Sequence, residues 1–387
     1  MNRARLFVSA CVGMFLFGVA LVLQGTLFGL PAMRARLELS TLVRQGDLQT
    51  LLLFGVLVST ILVGPLMDRF GHKLVLSLSA ALVAVSLAGF AFANGYQTAQ
   101  ILSFVLGVGG GGLNMATNVM VSDIYGEDRG AKLNQLGVFF GVGALFLPFV
   151  TAWVARSITQ LILLSALLSA ACAVAYIVLK FPDAREASGA SIFESLKAVR
   201  SPGVLLFGFL LFFESGNESA MTGWTSTWAT NLGAGVRTAT LMLALLQGMM
   251  MIGRLLAAPV LRVVSKTQLV LASAIGGFLS VAILLAAKSI PMLALGAGLA
   301  GLTFAAIYPT VLALAGDRYQ RYAATVFGIL FTIGISGGMF YPWAIGHISQ
   351  SLGLRAGMFL PLVGTVAITV IMLMLRAKHP PPPDQSL

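Results

Sequence analysis

Two carboxylates, Glu214 and Glu218, stand four residues apart in a segment that is otherwise apolar enough to cross a bilayer. An ionisable side chain near the centre of a membrane costs roughly 2.5 to 3.5 kcal/mol on insertion scales, so such residues are rare and mark candidate functional sites. On a helical wheel, Asn217, Trp224 and Trp228 fall within the same arc of roughly 120° as the two acids. One face of this segment is therefore predicted to offer acids, an amide and flat apolar rings.

The two acids suit the binding and release of a cation. Because carboxylates one helical turn apart resist being ionised together, the pair can take up a proton. Glu218 is the first candidate for the proton site and Glu214 is the second. Sodium is the other coupling ion that these oxygen ligands would serve, and no further cofactor is predicted.

The composition places this segment in a membrane. Hydrophobic residues make up 58% of the 387 positions and charged residues 10%, and the mean hydropathy is +0.94, so too little polar surface exists to coat a soluble globule. A span needs about 20 mainly apolar residues, and lipid excludes unpaired backbone groups, so long apolar runs predict helices. Twelve runs qualify, approximately 6–31, 46–67, 73–94, 97–122, 134–155, 158–180, 203–231, 238–262, 266–288, 290–315, 322–346 and 353–376.

The net charge of +11 is explained by membrane topology. If both termini are cytoplasmic, sixteen Lys and Arg residues lie in the inside loops and tails and seven lie outside, as the positive-inside rule expects. The basic character then needs no polyanionic partner, and nucleic-acid binding is not predicted. We expect a monomeric multi-pass protein of a bacterial inner (plasma) membrane, with the lipid bilayer and a small-molecule substrate as its partners.

The spacing of reactive residues indicates neither a metal centre nor an enzyme active site. Cys11 and Cys172 fall in predicted spans, and His72, His347 and His379 are scattered, so no zinc-type ligand spacing exists. The sequence contains no phosphate-binding G-x-x-x-x-G-K-[ST] and no evident nucleophile with a positioned base. The chain is therefore not predicted to be an enzyme.

The predicted spans divide into two sets of six. The sequence predicts an N-terminal six-helix bundle over 1–180, a cytoplasmic linker over 181–202, a C-terminal six-helix bundle over 203–376 and a disordered cytoplasmic tail over 377–387. The fold class predicted is an all-α membrane protein with twelve transmembrane helices in two bundles.

This arrangement resembles the major facilitator superfamily, and one loop strengthens the resemblance. The segment between spans two and three is similar to that superfamily's G-x-x-x-D-R-x-G-R-K motif, with His72 in place of an Arg. The resemblance implies alternating access with this loop as a conformational gate. Gly64 would permit close helix packing and Gly71 would turn the chain. The motif residues are Gly64, Asp68, Arg69, Gly71 and Lys73.

The second half contains a degenerate copy of that loop. Gly253 and Arg254 open the corresponding segment, which continues to Lys266. Weak internal symmetry is expected when two halves rock about a central site. Arg254 is therefore assigned to the gate, and it is expected to pair with a carboxylate or to reach the membrane interface.

Within the superfamily, the chain resembles the fucose, galactose and glucose permease family of sugar:proton symporters. Span four, from Gly109 to Asn118, is similar to that family's G-x-G-x-L-[QE]-T-A-A-N, and span seven carries F-x-x-G-x-E ending at Glu218. Spans ten and eleven contain matches to F-P-T and to G-G-A-x-x-P. From these matches and from the helical face of span seven, the predicted substrate contacts are Gln24, Asn114, Asn118, Asn217, Trp224, Trp228, Tyr308 and Tyr341.

The chain departs from this family where the family can carry acids in its first half. The matching positions are Gly25, beside Gln24, and Asn114, and none of these side chains titrates. Ion coupling, if present, is predicted to have moved to Glu214 and Glu218.

These patterns predict a secondary active transporter that moves a small polar solute, a hexose-like sugar, by proton-coupled alternating access. Two other solute classes stay open. Buried acids and an apolar lining would also serve the export of apolar or cationic drugs, and Arg254 would serve an organic anion such as a monocarboxylate. For Trp228, an interfacial aromatic belt is the alternative to solute contact.

Overall fold

The computed structural model describes residues 3–125, 129–154, 158–181, 201–319 and 323–378, and every regular element within these ranges is helical. The first half of the chain forms α1 (Arg3–Phe28), α2 (Pro31–Arg36), α3 (Leu42–Phe92), α4 (Tyr96–Tyr125), α5 (Arg129–Val154) and α6 (Ile158–Val178). The second half forms α7 (Pro202–Asn231), α8 (Val236–Val260), α9 (Lys266–Ala286), α10 (Ile290–Phe304), α11 (Ile307–Arg318), α12 (Ala323–Leu352), α13 (Leu354–Gly357) and α14 (Phe359–Lys378).

Some helices do not correspond to one span each. α3 contains the second and third spans, and Gly71 turns the chain between them at φ 76° and ψ 171°, a conformation that glycine adopts without steric cost. α10 and α11 together form the tenth span. The ring of Pro309 crowds the carbonyl of Ala305 one turn earlier, which accounts for the break between these two helices. α13 and α14 form the twelfth span.

Eleven segments in the described ranges are long and apolar enough to cross a membrane. α7 is not among them, because its central and later turns carry acids, amides and hydroxyl side chains. Its 30 residues nevertheless exceed the length that a span requires. With α7, the described helices make twelve membrane-crossing segments, as the apolar runs predict.

Each half of the chain has its own buried core. In the first half, α4 packs against α1, α3 and α5 around residues such as Leu16 and Leu113. In the second half, α7 packs against α8, α12 and α14 around Trp224, Phe304 and Tyr341. The molecule is therefore two helical bundles of six spans each.

The two bundles contact each other mainly through three pairs of helices in the described ranges. We call the face that carries Arg3 and Lys378 the chain-end face and the opposite one the far face. α3 packs against α12, α5 against α8 and α1 against α7. Near the far face, Gly46 of α3 lies against Gly346 of α12. Toward the chain-end face, a Cβ at Gly137 of α5 or at Gly328 of α12 would meet no atom within 4 Å.

The predicted linker and tail lie largely outside the described residues. Of the linker over 181–202, positions 182–200 are not described, and neither are positions 379–387 of the tail. The flanking helices reach slightly beyond the predicted bundle of 203–376, because α7 begins at Pro202 and α14 continues to Lys378.

Candidate functional site

α7 holds the two acids at its centre and is well defined at both ends. Pro202 lies in its first turn, where a missing backbone N–H is tolerated. Gly233 follows its C-terminus with φ 83°, the left-handed conformation that commonly ends a helix. Glu214 and Glu218 therefore sit near the middle of a 30-residue helix, which places them deep in the membrane.

Glu218 has a counter-ion. Arg254 of α8 donates a hydrogen bond from Nη2 to Glu218 Oε1 at 3.1 Å, and the side chains are 32% and 23% exposed. The Arg254 guanidinium carbon also lies 5.3 Å from the ring centroid of Phe140, which belongs to α5 of the other half. The charged pair thus stands where the two halves meet, and its partial exposure places it beside an accessible space.

Glu214 is in a different environment one turn earlier. Its side chain is fully buried, and neither carboxylate oxygen forms a hydrogen bond with any described group. The charges of Glu218 and Arg254 lie close enough to act on Glu214. The charge of Glu214 in turn acts on Tyr308 and Tyr341. The two acids therefore share a helix but differ in their partners.

Asn217 and Tyr341 face the interior of the second bundle. Both are buried, at 0% and 1% exposure, and their amide and hydroxyl atoms have no hydrogen-bond partner among the described residues. A Cβ at Gly364 of α14 would collide with Asn217 Oδ1 and with Tyr341 Oη, so both polar groups converge on that glycine. The single face that the helical wheel predicts for α7 is thus divided between the space beside Arg254 and the packed side toward α14.

The two tryptophans of α7 are also buried. Trp224 is 0% exposed and Trp228 is 5% exposed, and both belong to the core of the second bundle. Trp228 therefore does not form an aromatic belt at the lipid interface. As placed here, neither ring offers an open face to a solute.

Tyr308 lies beside the acids in the second bundle. A Cβ at Gly334 of α12 would lie 3.5 Å from Tyr308 Oη and 3.4 Å from Ser215 Oγ, so the two hydroxyls flank that glycine. Ser215 directly follows Glu214 on α7. Tyr308, which is half-buried, therefore lies beside Ser215 and close enough to both acids for their charges to act on it.

The predicted amides of the first half fall into two groups. Gln24 is 1% exposed and donates from Nε2 to Leu48 O at 2.9 Å and to Ser103 Oγ at 2.8 Å, so it cross-links α1, α3 and α4. Asn114 and Asn118 are half-buried on α4. Asn118 Nδ2 donates to the Asn114 carbonyl at 2.7 Å and to its Oδ1 at 3.0 Å. The pair on α4 is thus more accessible than Gln24.

Gly25 explains part of the sequence's departure from the permease pattern. A Cβ at this position would collide with the carbonyl oxygen of Thr222 on α7. α1 and α7 therefore approach each other backbone to backbone here. An acidic side chain at position 25 has no room in this conformation.

The loop of the predicted gate is exposed near the chain-end face. Gly71 turns the chain as expected, but a Cβ at Gly64 would meet no atom within 4 Å, so the close packing predicted for Gly64 is wrong in this conformation. Arg69 and Lys73 are exposed, and the Arg69 guanidinium carbon lies 5.1 Å from the centroid of the Phe70 ring. The side chain of Asp68 lies outside the described part of the structure.

A contact that the sequence reading missed involves His72. Its Nε2 lies 3.1 Å from Asp123 Oδ2 at the end of α4, and the two side chains are 6% and 13% exposed. Two features of the sequence could have indicated this contact: His72 replaces the Arg of the motif, and Asp123 is an acid at the end of span four. The contact of Phe140 with Arg254 was likewise not predicted.

Among the residues that the structure describes, no group of three acids, histidines or cysteines is placed to hold a metal ion.

Sequence comparison relates the chain to membrane carriers. The profile of the Major Facilitator Superfamily matches residues 6–286. Human synaptic vesicle glycoprotein 2B is 30% identical over 138 residues, which are 34% of this chain and 20% of that protein. Organic anion transporter 3 of Sus scrofa is 30% identical over 101 residues, or 26% of this chain and 19% of that protein. The matches thus span about a fifth of these relatives' length.

Solved structures match over nearly the whole chain. A D-xylose-proton symporter has a TM-score of 0.79 at 15% identity and covers 97% of both chains. The nucleoside transporter NupG has a TM-score of 0.78 at 14% identity, over 97% of this chain and 99% of that one. The E. coli fucose:proton symporter has a TM-score of 0.66 at 19% identity, over 95% and 98%. At such identities the likeness establishes a common fold.

Proposed function

Because this chain belongs to the Major Facilitator Superfamily, a family of carriers, we propose that it is a secondary active transporter of a small hydroxylated solute. We propose a hexose-like sugar as the solute, a proton as the coupling ion and alternating access as the mechanism. Both chain ends would lie in the cytoplasm of a bacterium, in keeping with the excess of basic residues on that side.

The observation that carries this proposal is the asymmetry of the acidic pair. Glu218 is balanced by Arg254 at 3.1 Å, whereas fully buried Glu214 has no counter-ion bonded to it among the described residues. An isolated charge in an apolar interior costs several kcal/mol, and the group takes up a proton instead. We therefore assign the transported proton to Glu214, which reverses the order predicted from the sequence.

Glu218 then serves as the exit for that proton. It lies one turn from Glu214 and is 23% exposed. A proton that moves from the Glu214 carboxyl to the Glu218 carboxylate would neutralise Glu218 and release Arg254 from its ion pair. Because Arg254 also lies over Phe140 of the other half, this step would couple protonation to the contact between the two halves.

The solute would bind in the space between the halves beside this pair. Asn114 and Asn118 of α4 are accessible, and Tyr308 and Ser215 supply hydroxyls next to the acids. Hydroxyl and amide groups form the directional hydrogen bonds that a sugar requires. Two structural neighbours are described as sugar:proton symporters and another as a nucleoside transporter, so their solutes also carry several hydroxyls.

The remaining predicted solute contacts are buried in the interiors of the two bundles, where they hold the helices of the site in place. Gln24 ties together three helices of the first bundle, while Asn217, Trp224, Trp228 and Tyr341 are packed inside the second. In this proposal they fix the positions of α1 and α7. The gate remains assigned to the loop of Arg69, Gly71 and Lys73, with Asp68 and Gly64.

An organic anion is the second candidate solute. Arg254 is 32% exposed, and organic anion transporter 3 is among the sequence relatives. An anion that displaced Glu218 would gain a charge-assisted hydrogen bond from this guanidinium. The two candidates differ in whether Arg254 contacts the solute or only Glu218.

Uptake into proteoliposomes separates these functions. Vesicles with an inward proton gradient would be tested with radiolabelled D-glucose, D-xylose, L-fucose and benzenesulfonate, a permanently charged anion, each with and without a protonophore. We expect at least one sugar to accumulate above equilibrium and the protonophore to abolish that accumulation. Accumulation of benzenesulfonate alone would replace the sugar with an anion, and sugar equilibration without response to the gradient would refute proton coupling.

A further inference from the structure

The contact between the halves near the far face is polar as well as close. We call it the far-side seam and define it by Gln45, Gln49 and Thr50 of α3 and Ser226 and Thr227 of α7. Thr227 donates to Gln45 Oε1 at 3.1 Å, which is a hydrogen bond across the two halves. Thr50 similarly donates to the carbonyl of Met339 in α12 at 3.1 Å.

Two groups of the seam have no hydrogen-bond partner within the described ranges. Gln49 is 5% exposed, and neither its Oε1 nor its Nε2 forms a hydrogen bond with a described group. Its amide lies against Gly223, where a Cβ would collide with it. Ser226, at 0% exposure, likewise leaves its hydroxyl unpaired and lies against Gly29 of α1.

Closing the far side does not require these polar groups. At the neighbouring contact of α3 with α12, Gly46 and Gly346 pack backbone to backbone and Thr50 donates to the Met339 carbonyl, so this contact closes without an unpaired amide. A buried amide without a partner destabilises the state that buries it, and an apolar side chain of similar shape would avoid that loss. The amide and the hydroxyl are therefore unfavourable for closure and suit a state in which the seam is open.

The chemistry of the open seam indicates its ligand. Its five side chains supply both donors and acceptors and carry no formal charge, unlike the pair of Glu218 and Arg254. A neutral compound with several hydroxyls matches such a surface, whereas an ion does not. Separation of the halves at the far face would expose these groups to the solution from which the solute arrives.

We propose that the far-side seam is a first binding site for a polyhydroxylated solute in the conformation that is open to the far face, with Gln49 and Ser226 as its main hydrogen-bonding groups. The inference rests on the proposed alternating access and adds a second site to it. Closure would then strip the solute from Gln49 and Ser226 and pass it toward the acids at mid-membrane.

The test compares Gln49→Leu with the parent protein, using D-xylose as the probe and proteoliposomes of known orientation. Half-saturation would be measured for entry from each face. A cysteine reporter, Val43→Cys, would be placed in both proteins, because Val43 lies at the α3–α12 contact and Cys11 and Cys172 are each only 5% exposed. The rate at which an impermeant maleimide labels this cysteine reports how often the seam is open.

We expect Gln49→Leu to raise the D-xylose concentration that half-saturates entry from the far face. The factor of this rise should exceed the factor by which the labelling rate falls by roughly three- to tenfold, because a hydrogen-bonding group is lost in addition to any change in opening. Half-saturation from the chain-end face should change by no more than the shift in population that the labelling reports. Gln247→Leu is the matched control, since Gln247 is a buried amide whose bond to Thr222 stays within the second half.

Two results would overturn the inference. If the half-saturating concentration at the far face rises by the same factor as the labelling rate falls, Gln49 affects only the closure of the seam and does not bind the solute. An equal change from both faces, or the same sidedness with Gln247→Leu, would place the effect elsewhere than the seam. A parent protein that carries none of the sugars from either face would instead refute the proposed function.

Discussion

The ion pair between Glu218 and Arg254 makes a prediction that thermal unfolding can test. At 3.1 Å, an effective dielectric constant of about 20 gives a Coulomb attraction of roughly 5 kcal/mol. Desolvation and the ordering of both side chains offset most of this, and partial exposure screens the remainder. We expect a coupling energy of about 1 to 2 kcal/mol between the two residues.

A double-mutant cycle in detergent isolates this coupling. Glu218→Gln and Arg254→Gln should each lower the free energy of unfolding, because each leaves a charge in the membrane interior without its partner, and the double variant should recover part of the loss. The control cycle uses Glu38 and Arg44, whose pair is longer, at 3.9 Å, and more exposed, at 63% and 37%; its coupling should stay below about 0.5 kcal/mol. Losses at 218 and 254 that simply add, within about 0.5 kcal/mol, would refute the reasoning.

Three further predictions concern packing. Gly25→Val places side-chain atoms against the α7 backbone and should prevent closure of the far side, which faster maleimide labelling near the far face would report. Gly364→Ala forces a methyl group toward Asn217 and should lower the free energy of unfolding by about 1 to 3 kcal/mol, as a lower Tm would show; an unchanged Tm would mean that α14 stands farther away. Trp153→Ala removes the stacking of Arg237, whose guanidinium lies 3.6 Å from the ring centroid across the halves. That loss of about 0.5 to 1 kcal/mol should raise the open fraction at the far face two- to fivefold, and unchanged labelling would contradict it.

The helices were predictable because membrane solvation leaves few choices. Long apolar runs specify spans, and the predicted twelve-span fold and the superfamily are both confirmed. Gly71 marked the turn inside α3, since its positive φ is a conformation that glycine tolerates. The apolar run of the tenth span did not predict the break at Ala305, which Pro309 explains once the structure is known.

The details of the site depend on neighbours that a single helix cannot specify. A helical wheel places Glu214, Asn217 and Glu218 on one arc, but it does not say which helix stands opposite each residue. α8 brings Arg254 to Glu218, whereas α14 brings Gly364 to Asn217. The different surroundings of the two acids therefore required the tertiary structure.

The backbone contacts of the far side were also outside the reach of sequence reading. Gly25 was noted as a missing acid, but its contact with α7 depends on how the two halves meet. Gln49 belongs to none of the sequence motifs described above. Its position becomes informative only because the fold buries it without a partner among the residues that the structure describes.

The assignment of the proton to Glu214 is tested most directly by Glu214→Gln in proteoliposomes. Exchange of labelled for unlabelled sugar and accumulation driven by a proton gradient would be measured side by side, with the sugar that the parent protein accumulates. Because the amide fills the same space but cannot carry the proton, we predict that exchange continues within a few-fold of the parent rate and that accumulation is lost. Accumulation at the parent level would contradict the account.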